Sequence, residues 1–167
     1  MRLHIVRHAK SARHGGVADH ARPLNPRGRR DAPRVAAHLA GNAVRPDWLI
    51  ASDSARTEQT AQLLCTGLGL DTTVVHIDPR LYLADATTLL RVLRETPPDR
   101  REAMLVAHNP GATDLVAFLT GAPFVELPTM AVASLDVNIG RWSDLYSGCA
   151  VLLERVTPDT LPDPGAA

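Results

Sequence analysis

Two arginines and two histidines follow apolar segments that are predicted to be strands: Arg7, His8, Arg56 and His108. A neutral imidazole is a competent nucleophile, and histidine is among the side chains that form covalent intermediates. Phosphoryl transfer depends on positioning and on cationic groups placed around the phosphoryl oxygens. Two guanidiniums and a second imidazole beside His8 would supply these without a metal. The residue types therefore favour phosphoryl chemistry, with His8 as the nucleophile.

Each of these residues, taken alone, also has a purely structural interpretation. His8 and His108 could be strand-end histidines that hydrogen-bond a loop carbonyl. Arg56 falls in the first turn of a predicted helix whose N-cap is Ser52 or Ser54, at the positive end of the helix dipole. A cation there costs about 0.3–1 kcal/mol, which a bound anion would reverse. A solvent-exposed Arg56 that tolerates this cost is at least as compatible with the sequence.

Secondary-structure patterns predict the elements that would position these groups. Five apolar runs and a sixth near the C-terminus read as strands: Leu3–Val6, Trp48–Ala51, Thr73–Ile77, Ala103–Ala107, Val132–Val137 and Ala150–Arg155. Four helical patterns lie between them: Arg27–Leu39, Asp53–Leu68, Thr87–Leu93 and Gly111–Leu119. The alternation predicts an α/β fold with a mainly parallel sheet, and the last two strands predict an antiparallel edge or a meander. Since strand carboxyl ends share one edge of such a sheet, the four candidate residues would converge there.

Length and composition limit the alternatives. The 167 residues fit one domain, predicted at 1–157, and prolines in the last ten residues predict a flexible tail at 158–167. Lys plus Arg and Asp plus Glu number 18 each, so the basic excess typical of nucleic-acid binders is missing. No apolar run approaches the roughly 20 residues of a membrane span, and the N-terminus turns polar too early for a signal peptide. These features predict a cytoplasmic protein without nucleic-acid or membrane partners.

Neither the cysteines nor the remaining histidines have the spacing of a metal or redox site. Cys65 and Cys149 stand far apart, and two buried thiols explain them better than a disulfide. We therefore expect no metal and no cofactor. The sequence also shows no heptad repeat that would predict a stable oligomer, so a monomer is expected.

Four motifs occur in order along the chain: residues 7–11 (RHAKS), 22–28 (RPLNPRG), 51–61 (ASDSARTEQTA) and 107–111 (AHNPG). Together they resemble the histidine phosphatase (phosphoglycerate mutase-like) superfamily, and in particular its short SixA-type phosphohistidine phosphatase branch. The resemblance implies a three-layer α/β/α sandwich. It also implies that His8 accepts the phosphoryl group, and that Arg7, Arg56 and His108 bind its oxygens before water releases phosphate. A protein-borne phosphohistidine would be the substrate.

Two departures from the family pattern bear on the substrate. Ala9 replaces the glycine that follows the nucleophile in many members, which could restrict the local backbone. The acid that protonates the leaving group in larger members has no clear counterpart: the corresponding segment offers Leu83, leaving Asp19 or Asp85 as candidates. A positioned acid is worth about 10²–10⁴-fold in rate. Its lack would favour a phosphoramidate, whose nitrogen leaving group is readily protonated, although Asp19 could still serve.

The loops that could cover the site, Lys10–Pro26 and Pro79–Thr88, are short, which favours an open cleft and a phosphorylated protein domain as substrate. Two other functions remain open from the sequence. One is a small-molecule phosphomonoesterase with the same nucleophile. The other is a non-catalytic phosphate-binding module, against which the complete set of four candidate residues argues.

Overall fold

The computed structural model describes residues 1–13, 16–123 and 126–162. The strands in these residues are β1 (Arg2–Arg7), β2 (Trp48–Ala51), β3 (Val75–Ile77), β4 (Glu102–Ala107), β5 (Val132–Val137) and β6 (Ala150–Val156). The α-helices are α1 (Pro26–Gly41), α2 (Ala55–Gly67), α3 (Ala86–Leu93) and α4 (Gly111–Thr120). Every predicted strand and helix is present, and the predicted and observed elements differ only in where they begin and end.

The six strands form one mixed sheet in the order β3-β2-β4-β1-β5-β6. β1, β2, β3 and β4 are parallel, and β4 pairs with both β1 and β2. β5 and β6 are antiparallel to their neighbours, which confirms the predicted antiparallel edge. Because β4 lies between β1 and β2, the three strands that precede the candidate residues end side by side.

The sheet is covered by helices on both faces, which confirms the three-layer α/β/α fold. α1 and α2 pack against each other over one apolar cluster, and α3 and α4 over a second. The strands supply both clusters because successive side chains point to opposite faces: Ile5 of β1 joins the α3–α4 cluster and Val6 the α1–α2 cluster. The aliphatic side chains of the described residues thus form a core on each side of a rigid sheet.

The third strand is shorter than predicted. Its first expected residue, Thr73, lies in a 3₁₀ turn at Thr72–Val74. Asp71 caps this turn by accepting a hydrogen bond from the Thr73 backbone N–H at 2.8 Å. Short polar side chains favour such local turns over a sheet ladder, so the strand begins only at Val75.

The start of the predicted C-terminal tail packs against the domain. Pro158–Thr160 forms a 3₁₀ turn with Pro158 buried, and Arg34 of α1 donates hydrogen bonds to the Leu161 and Pro162 carbonyls at 3.1 and 2.9 Å. The remaining tail residues, 163–167, lie outside the described part of the chain. Within that part, no helix combines the length and the apolar character needed to cross a membrane.

Candidate active site

The exits of β1, β2 and β4 surround a cleft of about 220 Å³. All four residues predicted for phosphoryl chemistry line it: Arg7, His8, Arg56 and His108. The rings of His8 and His108 lie 5.1 Å apart between centroids, and Arg56 Nη2 lies 3.5 Å from His108 Nδ1. The sheet order therefore produces the convergence that the sequence predicted.

His8 has one ring nitrogen engaged by the backbone. Its Nδ1 lies 2.8 Å from the Ala9 carbonyl oxygen, which can only accept, so Nδ1 carries the proton and Nε2 keeps its lone pair. Burial lowers the pKa of His8 to about 4, and the nearby Arg56 and Arg7 guanidiniums add to that effect. At neutral pH His8 is therefore an uncharged imidazole with an unprotonated Nε2, the form that a nucleophile needs.

Ala9 does not strain the chain after the nucleophile. Among the described non-glycine residues only Ala43, Leu83 and Met130 have a positive φ, so the backbone at Ala9 suits any L-residue. Its N–H donates to the Thr60 hydroxyl of α2 at 3.0 Å. The restriction that the missing glycine might have imposed does not arise.

The loop that carries His8 is fixed from both sides. The Met130 N–H lies 3.1 Å from both the Arg7 and the His8 carbonyl oxygens. On the other side, the Lys10 carbonyl accepts from the Asn25 N–H at 2.9 Å. Gly28 packs so closely against Lys10 that an added Cβ would lie 2.2 Å from the Lys10 carbonyl oxygen. The motif at residues 22–28 thus holds the nucleophile loop against the start of α1.

Arg7 is anchored at one nitrogen and unsatisfied at another. Its Nη1 donates to the Leu127 carbonyl at 2.7 Å and approaches Glu126 Oε1 at 3.3 Å. Its Nε is buried and finds no hydrogen-bond partner among the described residues. Buried donors normally have partners, and a phosphoryl oxygen in the cleft would be a suitable one.

Arg56 is buried. It is the second residue of α2, after the N-cap Ser54, and only 3% exposed, which excludes the solvent-exposed interpretation. Its Nη1 donates to the Asp19 backbone carbonyl at 2.7 Å and its Nη2 to the Asp19 carboxylate at 3.0 Å. A cation so placed at a helix N-terminus needs a counter-charge, and Asp19 provides one.

His108 is 2% exposed and neutral. Burial lowers its pKa to about 3, with His8 and Arg56 contributing. Its Nε2 lies 3.1 Å from the Ser52 hydroxyl. Arg56 Nη2, 3.5 Å from Nδ1, can only donate, so Nδ1 accepts and Nε2 carries the proton, which it donates to the Ser52 hydroxyl. Of the two N-caps that the sequence allowed, Ser54 is the one observed, and Ser52 is instead the hydrogen-bond partner of His108.

The structure does not give Asp19 the properties of a general acid. Its carboxylate accepts from the Tyr82 hydroxyl at 2.5 Å, from Arg22 Nη1 at 2.6 Å and from Arg56. The Tyr82 hydrogen bond and then Arg56 hold its pKa at about 2, so it carries no proton to give at neutral pH. Asp85 caps α3 by accepting from the Thr88 N–H at 2.8 Å, and neither carboxylate lines the cleft.

Three further cations line the cleft that sequence reasoning did not single out: Lys10, Arg13 and Arg22. With Arg7 and Arg56 they make the lining strongly basic, and it contains no carboxylate. Lys10 is the chain's single lysine, a signal that could have been followed because it lies two residues after His8. Tyr82 and Ser52 had no such signal. In the described residues no three His, Cys, Asp or Glu side chains are grouped so as to hold a metal ion.

Comparison with known proteins agrees with these motifs. The family model of the histidine phosphatase superfamily (branch 1) matches residues 3–82. A protein of Mycobacterium tuberculosis, itself described as uncharacterized, is 33% identical over 158 residues, which cover 89% of this chain and 96% of the relative.

Solved structures show the same fold. The protein histidine phosphatase SixA complexed with tungstate is 25% identical, with a TM-score of 0.82 over 95% of this chain and 98% of that one. A candidate phosphohistidine phosphatase SixA from Agrobacterium tumefaciens is 27% identical, with a TM-score of 0.80 over 94% of this chain and 97% of that one. The similarity extends over nearly the full length of each protein.

Proposed function

The chain belongs to the histidine phosphatase superfamily, and from this we propose that it is a phosphatase that works through a phosphohistidine intermediate on His8. We further propose that its substrate is a phosphohistidine carried by another protein. The observation that carries the proposal is the neutral His8 imidazole, with Nε2 unprotonated, in a cleft that Arg7, Arg56 and His108 also line.

The first step would transfer the phosphoryl group. Nε2 of His8 forms a bond to phosphorus as the bond from phosphorus to the substrate's leaving atom breaks. Arg7 and Arg56 would neutralise the charge on the three equatorial oxygens, and His108 would add a third donor when the phosphoryl group takes over the Arg56 hydrogen bond and Nδ1 becomes protonated. Catalysis of phosphoryl transfer depends mainly on this stabilisation of charge. The Ala9 carbonyl retains the Nδ1–H hydrogen bond and so stabilises the positive charge that develops on the His8 ring.

The second step would return the enzyme to its starting state. A water oxygen bonds to phosphorus while the bond between phosphorus and Nε2 breaks, releasing inorganic phosphate. The water's two protons pass to phosphate or solvent, and His8 leaves the cycle with Nδ1 still protonated.

The lack of a proton donor supports a phosphoramidate substrate. Among the described residues no carboxyl group lines the cleft, and Asp19 is ionised. The exposed Leu83 lines the cleft in the segment where the family pattern would place an acid. An alkyl ester would have to leave as an alkoxide, whose protonation a positioned acid normally assists by about 10²–10⁴-fold. A phosphohistidine ring protonated at its other nitrogen leaves as neutral imidazole and needs no donor.

Two further observations bear on the substrate, the first on its charge and the second on its phosphoryl group. The cleft, of about 220 Å³, is lined by Lys10, Arg13 and Arg22 in addition to Arg7 and Arg56, and these cations would attract an acidic surface. The SixA neighbour was solved with tungstate, a tetrahedral oxyanion of the same shape as phosphate.

The experiment compares three substrates: a phosphohistidine-bearing protein domain, 4-nitrophenyl phosphate and an alkyl phosphate. Each is incubated with the wild type and with His8→Ala, with and without EDTA. We expect the phosphohistidine protein to be hydrolysed fastest, an acid-labile phosphoenzyme to accumulate at His8, no turnover by His8→Ala, and no effect of EDTA.

The outcomes separate the alternatives. Turnover by His8→Ala would refute the nucleophile. Faster hydrolysis of the alkyl ester would refute the phosphoramidate preference and favour a small-molecule phosphomonoesterase. A wild type that binds inorganic phosphate but hydrolyses none of the three would be a phosphate-binding module.

A further inference from the structure

The loops after β1 and β3 meet above the cleft through one carboxylate. Asp19 Oδ2 accepts from the Tyr82 hydroxyl at 2.5 Å and from Arg56 Nη2 at 3.0 Å, while Oδ1 accepts from Arg22 Nη1 at 2.6 Å. The Asp19 backbone carbonyl also accepts from Arg56 Nη1 at 2.7 Å. One short residue thus engages both terminal nitrogens of Arg56 and bridges it to a second arginine.

The residues around this carboxylate fix it in turn. Arg22 Nε donates to the Ala12 carbonyl at 2.8 Å and its Nη2 to the Ser11 hydroxyl at 2.7 Å, so its planar fork is held at three points. The Tyr82 ring lies edge-on to His108 with centroids 5.6 Å apart, and the Arg56 guanidinium lies 5.9 Å from the centre of the same ring. The network therefore contacts Arg56 and His108, two of the three groups proposed to hold the phosphoryl oxygens.

The proposed function leaves these contacts without a role, since Asp19 is not an acid and Tyr82 does not line the cleft. Arg56 requires them. It is buried, sits at the positive end of α2, and has its side chain only 3% exposed. Without a counter-charge, a buried guanidinium would move toward water and lose the orientation on which positioning catalysis depends.

We propose that Asp19 and Tyr82 are positioning residues of the phosphatase site: Asp19 holds the Arg56 guanidinium against the cleft, and the Tyr82 hydroxyl orients the Asp19 carboxylate. The inference rests on the proposed function for its kinetic consequences. Its geometric consequence, a correctly placed Arg56, also applies to the binding of a simple oxyanion. Asp19 stays ionised across the working pH range, since its pKa is about 2.

Asp19→Asn is the informative substitution because it keeps the size of the side chain. Whichever way the amide is oriented, its NH₂ replaces one oxygen and faces the donors of Arg22 or of Arg56 and Tyr82, so at least one arginine loses an acceptor. We expect kcat/KM to fall by about 10–100-fold, since a displacement near 1 Å can cost about 10²-fold. Tyr82→Phe removes only the hydroxyl and should cost a smaller part of this loss.

Asp85→Asn is the matched control. It makes the same chemical change on the same loop as Tyr82, and asparagine remains a good N-cap for α3. Thermal unfolding of all three variants identifies any that fails to fold. Should Asp19→Asn unfold, Tyr82→Phe carries the test, because the ring and its packing are retained.

Two readouts distinguish positioning from acid catalysis and from a structural role. In an Arg56→Ala background, Asp19→Asn should cause no further loss of kcat/KM, because its effect passes through Arg56. The fold-loss should also be equal for 4-nitrophenyl phosphate and the alkyl phosphate. Multiplicative losses, or a loss that grows with the leaving group's basicity, would overturn the proposal.

Binding of inorganic phosphate, measured by calorimetry, keeps the proposal separate from the proposed function. Weaker phosphate binding by Asp19→Asn than by Asp85→Asn supports the positioning role even if no substrate is hydrolysed. Wild-type turnover together with unchanged kinetics and phosphate binding in Asp19→Asn refutes the positioning role and leaves the phosphatase function intact.

Discussion

Replacing Gly28 by alanine tests how the loop after β1 is held in place. Gly28 lies in the first turn of α1, where its N–H donates to the Asn25 side chain at 2.9 Å. A Cβ added to it would lie 2.2 Å from the Lys10 carbonyl oxygen and 2.9 Å from the Lys10 nitrogen. Both atoms belong to the backbone, so no side chain can rotate away, and Lys10 follows His8 by only two residues.

The size of the effect follows from that overlap. Normal contact between a carbon and an oxygen requires a shift of about 1 Å, and overpacking of this kind costs about 1–3 kcal/mol. In a domain of this size, 1 kcal/mol corresponds to about 2–4 °C in Tm, so Gly28→Ala should lower Tm by about 2–12 °C. Moving Lys10 would also move His8, and we expect this displacement to lower kcat/KM by about 10²-fold.

Gly41→Ala provides the control in the same helix, since a Cβ at Gly41 meets no atom within 4 Å. It should leave activity unchanged and leave Tm equal or slightly raised, because alanine restricts the unfolded chain. Thermal unfolding and phosphatase kinetics are measured on both variants, with phosphate affinity as the readout if turnover is too slow. A Gly28→Ala protein that matches Gly41→Ala in Tm and kcat/KM would refute the reasoning.

Other groups in the site give further expectations. Burial lowers the pKa of His8 to about 4, and only the neutral imidazole attacks phosphorus. The rate of phosphoenzyme formation should therefore be constant above about pH 5 and fall about tenfold per pH unit below about pH 4. Rapid-quench kinetics would measure this rate, and a decline that begins near pH 6.5 would contradict the prediction. Lys10→Gln should raise KM by about 2–10-fold with little change in kcat, since Lys10 lines the cleft rim; an unchanged KM and salt dependence would count against a role in substrate attraction. Ser52→Ala removes the hydrogen-bond partner of the buried His108 Nε2. We expect the free energy of unfolding to fall by about 1–3 kcal/mol and kcat/KM to fall by about tenfold. Unchanged denaturation and unchanged kinetics would show that Ser52 does not hold the His108 ring.

Much of the fold could be predicted because its strands are apolar runs bounded by turn residues. The observed β2 and β5 have the predicted ends, Trp48–Ala51 and Val132–Val137. The start of α2 was less predictable: the helix begins at Ala55 rather than Asp53, and its N-cap residue, Ser54, makes no side-chain capping hydrogen bond. The two serines are chemically identical, and only the position of His108 in the fold decides that Ser52 is its hydrogen-bond partner.

The candidate site was predictable where residues are fixed by their own strand. Arg7 is the last residue of β1, His8 follows it directly and His108 follows β4 directly, so the parallel pairing of β1 with β4 brings these residues together. Asp19 shows where this reasoning stops. From sequence it is a candidate acid, yet its pKa is lowered to about 2 by Tyr82, 63 positions away, and by Arg56, a buried arginine that follows a different strand.

The sequence by itself determined the α/β alternation, the four motifs and the residue types needed for phosphoryl chemistry at the strand ends, because these depend on local periodicity and spacing. Only the tertiary structure decided that Arg56 is buried, that the pKa of Asp19 falls to about 2 and that the pKa of His8 falls to about 4. Those properties arise from burial and from charges brought close by the strand order β2-β4-β1 and by the loops that meet above it. Charge and hydrogen-bond partner are properties of a position in space, and the folded sheet sets that position.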